Sequence, residues 1–294
     1  MAADEYKIDP FAHVADSNHF ELFEGVTIHL PAREDLPSFL QPLFPLGFTK
    51  FMLLQLVAAL IILALFLPLA RRIATGEPPR GRLWNFLEWV LTFVRDQIAR
   101  PGIGEHDYKR FLPLLWTMFL FILVMNLLGM VPFLASPTAS LAVTGVLALV
   151  SFIIIHLNGV QANHGVVGYL KTFVPPIDTN DPVMKYLGPP IKVMMFFLEI
   201  LTAFIRAIVL AVRLFANMLA GHSVLAIILS FIALIGHAAF NSSLADNLFW
   251  PVTGGSVLLC VALSLLELFV ACLQAFVFVF LTAIFIGLAM HPQH

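Results

Sequence analysis

Charged and titratable side chains lie deep within two long apolar runs near the carboxyl end of the chain, among them Glu199, Arg206, Arg213, His222 and Glu267. An arginine side chain keeps its proton at any working pH, and placing it in hydrocarbon costs at least a few kcal/mol. A chain with such residues is expected to hold or move charge across a membrane. The alternative is that these side chains pair with one another or extend to the membrane surface.

Charges in the first apolar run follow a spacing of seven residues: Lys192, Glu199, Arg206 and Arg213. Seven residues turn an α-helix through about 700°, so these side chains share one slowly drifting stripe. Asn217, four residues beyond Arg213, lies on the same face of the helix. His222 is rotated by about 900° from Arg213 and lies about 13 Å farther along the axis, on the opposite face.

The second run faces the first if the helices fold back at the polar segment NSSLADN, 241–247. In such an antiparallel pair, residues at equal sequence distances before and after a turn near residue 244 face each other. His222 then lies opposite Glu267, and Arg213 lies opposite Gln274. A lone buried histidine is more often a packing residue, but an imidazole beside a carboxylate can pass a proton. A permanent cation flanked by titratable groups predicts a proton path that is blocked at Arg213.

The composition is that of a membrane protein, with 60% hydrophobic and only 12% charged residues. A soluble domain carries about twice that charged share. The apolar runs extend from residue 51 to 290, so we expect one membrane domain over 47–294. Residues 1–46 form a polar, acidic tail that does not resemble a signal peptide. The histidine spacing is not that of a zinc or haem site, so no metal and no cofactor are expected.

The hydropathy pattern predicts an all-α membrane protein with five membrane-embedded helices and one interfacial amphipathic helix. In chain order the expected helices are 51–70, 84–100 (interfacial), 111–134, 139–157, 191–238 and 250–290. The 84–100 segment has apolar residues at helical spacing and two early tryptophans, which suits the membrane surface. A helix packed against a soluble partner is the alternative.

The last two helices are too long to stand upright in a bilayer. A helix over 191–236 would be about 69 Å long, roughly twice the hydrocarbon thickness. It must be steeply tilted, curved or broken, and we expect the two helices to form a steeply tilted antiparallel hairpin.

Basic residues predict the orientation of the chain in the membrane. The segment 71–110 carries eight lysines and arginines, the 158–190 loop carries Lys171 and Lys185, and the 241–249 turn carries none. Basic loops favour the inner side, so five crossings place the N-terminus outside and the C-terminus inside. Glu199 then lies about 21 Å nearer the inside than Arg213, and His222 lies farther out.

The segment AVRLFANMLAGH, 211–222, resembles subunit a of F-type ATP synthases, the stator of the membrane rotary motor. The resemblance extends over nearly all of the chain from about residue 50. Further matching segments follow in the same order as in the family: NLLGMVP at 126–132, PTA at 137–139, LEI and the later Arg206 at 198–206, and LQAF at 273–276.

The resemblance implies a role for each of the site residues. Arg213 corresponds to the family's essential arginine, which faces the carboxylates of a rotating c-ring, and Gln274 corresponds to the glutamine beside it. Glu199 belongs to the inner half-channel. The outer region near the ring is implied to be lined by His222, Glu267 and Asn217. Arg206 matches the family's upstream basic residue, although Ala207 stands where a proline often follows it.

The expected function is therefore that of a stator subunit with two proton half-channels, which couples proton flow to rotation. The chain itself would perform ion translocation rather than bond chemistry. Its implied partners are the c-ring, subunit b of the peripheral stalk and the lipid bilayer, with no nucleic acid. A bacterial inner membrane is the expected location, and a mitochondrial inner membrane is the alternative. Two other functions remain open: a helical scaffold, and a secondary transporter, which should show internal repeats.

Overall fold

Long helices make up most of the part of the chain that the computed structural model describes, which covers residues 19–23, 26–29, 49–74, 76, 81–131, 136–174, 182–239 and 243–291. The helices that are long and apolar enough to cross a membrane have these spans: Lys50–Ala74, Tyr108–Gly129, Leu141–Ala162, Gly188–Ile228 and Trp250–Met290. The prediction of a helical membrane fold with five such helices, the last two of them long, is confirmed.

The chain divides into two compact units that alternate along the sequence. Unit 1 consists of Met1–Leu67, Phe121–Ser140 and Leu214–Gln274, and unit 2 consists of Pro68–Leu120, Leu141–Arg213 and Ala275–His294. Two of the boundaries fall directly after Arg213 and Gln274. The predicted site residues therefore fall into two groups, each of which belongs to its own unit.

A short β-hairpin occupies part of the acidic tail. Strand β1, His19–Phe23, pairs antiparallel with β2, Val26–His29, and the register shifts between Glu21 and Phe23. The charge of the segment predicts only a polar tail here. The alternation of apolar and polar residues in these short runs is the signal that indicates the strands.

The first membrane helix is α1, Lys50–Ala74, which extends beyond the predicted 51–70. Arg71 and Arg72 lie in its last turn, where cations stabilise the partial negative charge of the helix end. The two arginines end the apolar run at residue 70 but stabilise the helix end, so the helix continues to Ala74.

The predicted amphipathic helix is continuous but changes its winding. Helix α2, Arg82–Phe93, passes into a π-helical segment, Val94–Ala99, and then into α3, Arg100–Ile103. One face is buried within unit 2, whereas Phe86 and Trp89 are exposed on the other. Asp96, in the π-helical segment, accepts two hydrogen bonds from Arg95 at 2.9 and 3.0 Å, which hold the pKa of its carboxyl below the usual range.

Helix α4, Tyr108–Gly129, ends before the predicted boundary at residue 134. Beyond it lies a 3₁₀ turn, Pro137–Ala139, and then α5, Leu141–Ala162. The predicted start of the next helix, residue 139, thus lies in a separate turn, and the helix begins two residues later. A Cβ on Gly129 would collide with Ser136, so glycine permits the close return of the chain after α4.

A buried hydrogen-bond chain in unit 1 joins the NLLG and PTA segments to the last helix. Asn126 Nδ2 donates to the Ala271 carbonyl at 3.1 Å, and Thr138 Oγ1 donates to Asn126 Oδ1 at 2.9 Å. The Ser136 and Thr138 hydroxyls lie 2.8 Å apart. Each unpaired buried polar group would cost about 1–3 kcal/mol, so the chain fixes the helix segment around Ala271.

The last part of the fold contains a short helix and two long ones. Helix α6, Val166–Thr172, lies within the predicted 158–190 loop, α7 is Pro182–Ala239, and α8 is Ser243–Met290. Helix α7 begins earlier than the predicted 191 and includes Pro189 and Pro190. Most of the predicted NSSLADN turn belongs to α8, and residues 240–242, which connect the two helices, lie outside the described residues.

Candidate functional site

Unit 1 brings together the histidine and the carboxylate that the register predicts. His222 Nδ1, from α7, lies 3.7 Å from Glu267 Oε1, from α8. One turn away, Met218 of α7 and Ala271 of α8 pack in the same buried cluster. Both contacts fit an antiparallel pairing within one residue of the predicted register.

The Glu267 carboxylate is held in an apolar setting. Its side chain is only 6% exposed, and Oε1 has no hydrogen-bond partner among the described residues. At 3.7 Å the imidazole is too far for a hydrogen bond but close enough to stabilise a charge. The free energy of a buried carboxylate with this incomplete pairing falls when it accepts a proton from its neighbour, since an isolated buried charge is costly.

A cavity of about 240 Å³ adjoins this pair. Its lining is mostly aliphatic. Asn217 and Glu267 contribute polar side chains, and Gly221 contributes backbone. A volume of this size holds several water molecules. Unit 1 therefore combines a buried acid, a histidine and space for water at one place.

Unit 2 contains a second charged cluster, which comes from the seven-residue stripe. Arg206 Nη2 donates to Glu199 Oε1 at 2.8 Å, and the Arg206 guanidinium lies 5.2 Å from the ring centre of Phe285. The pair is partly exposed, at 33% for Arg206 and 43% for Glu199. The predicted sharing of one helix face is thus realised as a direct ion pair.

The second cluster lies in a cavity of about 390 Å³. Helices α5, α6 and α7 contribute its polar lining residues: His156, Tyr169, Thr172, Glu199 and Arg206. Helix α8 contributes Phe285, Leu288 and Ala289. The cavity is large enough for a group of water molecules, and its polar groups come from three helices.

Arg213 is half-buried and lines neither cavity. The described residues of its own unit form no hydrogen bond and no ion pair with it. Gln274 is buried in the other unit, so the pairing of these two residues stays a prediction. Along α7, Arg213 comes after the Glu199 group and before the His222 group.

The sequence of the chain was compared with those of known proteins. The sequence profile described as "ATP synthase A chain" matches residues 52–287. The chain belongs to the ATP synthase subunit a family. It is 40% identical to ATP synthase subunit a of Myxococcus xanthus over 261 residues, which cover 89% of this chain and 78% of that protein.

Two further members of the subunit a family show the same breadth of similarity. The subunit a of Chloroherpeton thalassium is 32% identical over 295 residues, covering 99% of this chain and 79% of that protein. The subunit a of a Nocardioides species is 37% identical over 253 residues, covering 85% of each. This member of the subunit a family is thus a multi-span membrane protein with bacterial relatives.

Two residues of the site, His156 and Tyr169, were not predicted from the sequence. The structure places both in the Glu199 cavity, where His156 Nδ1 lies 3.3 Å from the Tyr169 hydroxyl. The position of His156 near a helix end gave no signal by itself. Its environment depends on α6, which the sequence analysis treated as part of a loop.

Replacement of Gly221 by alanine is expected to lower proton conduction several-fold without lowering stability. A Cβ at this position would lie 2.7 Å from Glu267 Oε1, so the flexible carboxylate must move away from His222. Alanine in a helix is about 1 kcal/mol more favourable than glycine, which offsets the shift. Proton flux into reconstituted vesicles and the thermal stability of the complex measure the two effects.

The matched control for Gly221 is Gly254→Ala, also in a long helix, where a new Cβ has no neighbour within 4 Å. This variant should gain the same helix stabilisation and conduct normally. If Gly221→Ala and Gly254→Ala conduct equally well, the position of the Glu267 carboxylate does not matter for conduction.

Proposed function

We propose that the chain is the stator subunit of a rotary ATP synthase and forms two proton half-channels against a ring of c subunits. The observation that carries the proposal is that each unit contains a cavity lined by a carboxylate, and that Arg213 lines neither cavity. The carboxylate that lines each cavity lies beside a basic side chain, Arg206 for Glu199 and His222 for Glu267.

The coupling follows from the cost of charge in a lipid environment. A rotor carboxylate must be neutral while it faces lipid, because a bare charge there is costly. A proton that enters by the Glu267 cavity, next to His222, neutralises one rotor site. Another rotor site loses its proton by the Glu199 cavity, becomes anionic and is held by Arg213. Because Arg213 cannot release its proton, direct transfer between the cavities is blocked and transport requires rotation.

The expected setting is a bacterial plasma membrane, with the N-terminus outside and the C-terminus inside. The basic loops support this orientation, in which the Glu199 cavity belongs to the inner side and the Glu267 cavity to the outer side. Subunit b of the peripheral stalk is the expected partner that keeps the stator from turning with the ring. The titratable pair of His222 and Glu267 favours protons as the transported ion.

Single cysteines placed in the two cavities should react with a thiol reagent from opposite sides of the membrane. Met195→Cys and Ala203→Cys line the Glu199 cavity, whereas Ala220→Cys and Val270→Cys line the other. We expect the first two to react from inside and the second two from outside. The background must lack the native thiols, Cys260 and Cys272.

A matched control is Val261→Cys, an exposed position that lines neither cavity. Its thiol should face lipid and react slowly from both sides. If all four cavity thiols react freely from the same side, the two-half-channel proposal must be abandoned in favour of one aqueous pore.

A further inference from the structure

Among the polar side chains of the larger cavity, a histidine and a tyrosine have titratable rings to which the proposed half-channel assigns no task. His156 comes from α5 and Tyr169 from α6, and both line the cavity with Glu199 and Arg206. His156 Nδ1 lies 3.3 Å from the Tyr169 hydroxyl, within hydrogen-bond distance whichever group donates. The cavity thus brings a phenol, an imidazole and a carboxylate together from three helices.

The position of Tyr169 depends on a glycine and on an anchored turn. A Cβ on Gly159 would lie 2.8 Å from Tyr169 Cζ, so only glycine leaves room for the ring against α5. Asn163 Nδ2 donates to the Ala289 carbonyl at 3.0 Å and ties the turn after α5 to α8. These contacts hold α6 where its buried tyrosine meets His156.

Tyr169 keeps its proton at neutral pH. Burial raises the pKa of its hydroxyl, while Arg206 acts in the opposite direction and Glu199 in the same one. Helix α8 adds only Phe285, Leu288 and Ala289 to the lining, none of which titrates. The phenol therefore serves as a fixed hydrogen-bonding group, and the imidazole is the group suited to gain and lose a proton.

The His156 ring is also fixed on its other face. Its centre lies 4.0 Å from the ring centre of Phe152, one helical turn earlier in α5. The hydrogen bond at one ring nitrogen decides which nitrogen carries the hydrogen. When Nδ1–H donates to the phenol oxygen, the Nε2 lone pair is available to take a proton and return it.

We infer that His156 is a proton-relay residue of this cavity and that Tyr169 positions its ring. Nε2 of His156 takes one proton from Glu199 or from cavity water and gives it to the other, so no net charge accumulates on the ring. The inference rests on the proposed function, because it assigns a role within the same half-channel. The chemistry needs only the proton that the half-channel already carries.

The test is passive proton conduction by the intact membrane sector, reconstituted in vesicles with its rotor ring. A positioned proton-transfer group contributes roughly 100-fold to 10,000-fold, and cavity water replaces part of that, so His156→Ala should lose about tenfold or more. Added imidazole should restore conduction several-fold, because it can enter the cavity left by the side chain. His106→Ala, at an exposed histidine outside the cavity, should conduct normally with and without imidazole.

The Tyr169→Phe variant tests whether the tyrosine acts through the histidine. The phenylalanine ring still fills the space at Gly159, so only the hydrogen bond to His156 is lost. Conduction should fall by less than in His156→Ala. In the His156→Ala background the same change should have no further effect, and an additive loss would overturn the positioning role.

The outcomes separate this inference from the proposed function. If Glu199→Gln conducts normally, the proposed half-channel is wrong. If Glu199→Gln is impaired while His156→Ala conducts normally, only the relay is wrong. An impaired His156→Ala variant that assembles with the ring but does not respond to imidazole also overturns the relay. If the alanine variant does not assemble, His156→Gln keeps a polar side chain of similar size, and its normal conduction would be decisive against the relay.

Discussion

Replacement of Arg213 by alanine is expected to abolish ATP-driven proton pumping while the complex still assembles. The arginine is the permanent cation of α7 that lines neither cavity, and the described residues of its unit do not neutralise it. Without it, an anionic rotor site has no fixed countercharge in the membrane. Pumping by inverted vesicles, followed with a pH-sensitive dye, measures the loss. Copurification with a ring of small subunits that bear a buried Asp or Glu measures assembly.

Lysine at position 213 should fail or nearly fail as well. An ammonium group loses its proton more readily when it is desolvated, and it lacks the planar fork of a guanidinium. Arg110→Ala is a suitable control, because Arg110 is an exposed arginine bonded to Gln161 and lies outside both cavities. Normal pumping by Arg213→Lys would contradict the proposed role of a permanent charge.

The second large effect is expected at His222 and Glu267, which should behave as one unit. Glu267→Gln or His222→Ala should each slow proton flow severely, because each leaves a buried group without its partner at 3.7 Å. The exchanged double variant, His222→Glu with Glu267→His, restores both charges and should retain more activity than the worse single variant. A double-variant cycle on pumping rates should give a coupling of about 1 kcal/mol or more.

A surface pair provides the control for this cycle. His291 Nε2 lies 3.0 Å from Asp107 Oδ2, and both side chains are exposed. Their single replacements should leave pumping unchanged, since exposed pairs contribute little. Additive effects at His222 and Glu267 would mean that the two side chains act independently, despite their contact.

Helical periodicity explains which contacts the sequence could predict. The spacing of Glu199 and Arg206 places both on one face of a rigid helix, and the structure joins them directly. The pairing of His222 with Glu267 needs only two helices and the approximate position of a turn. These predictions hold because the repeat of an α-helix changes little with its surroundings.

Contacts between distant segments were not predictable in this way. Asn126 donates a hydrogen bond to the Ala271 carbonyl, 145 residues later in the sequence, and nothing in the NLLG segment indicates that acceptor. The meeting of His156 with Tyr169 depends on the space that Gly159 leaves and on the position of α6. Such contacts arise from tertiary packing, which local propensity and hydropathy do not encode.

The most direct test of the central claim is passive proton conduction with the rotor ring cross-linked so that it cannot turn. We expect that the unmodified stator conducts no protons in this state, because Arg213 blocks transfer between the two cavities. Arg213→Ala should open a leak under the same conditions. Conduction by the unmodified chain beside an immobilised ring would contradict the proposed block at Arg213, since it would reveal a continuous path that needs no rotation.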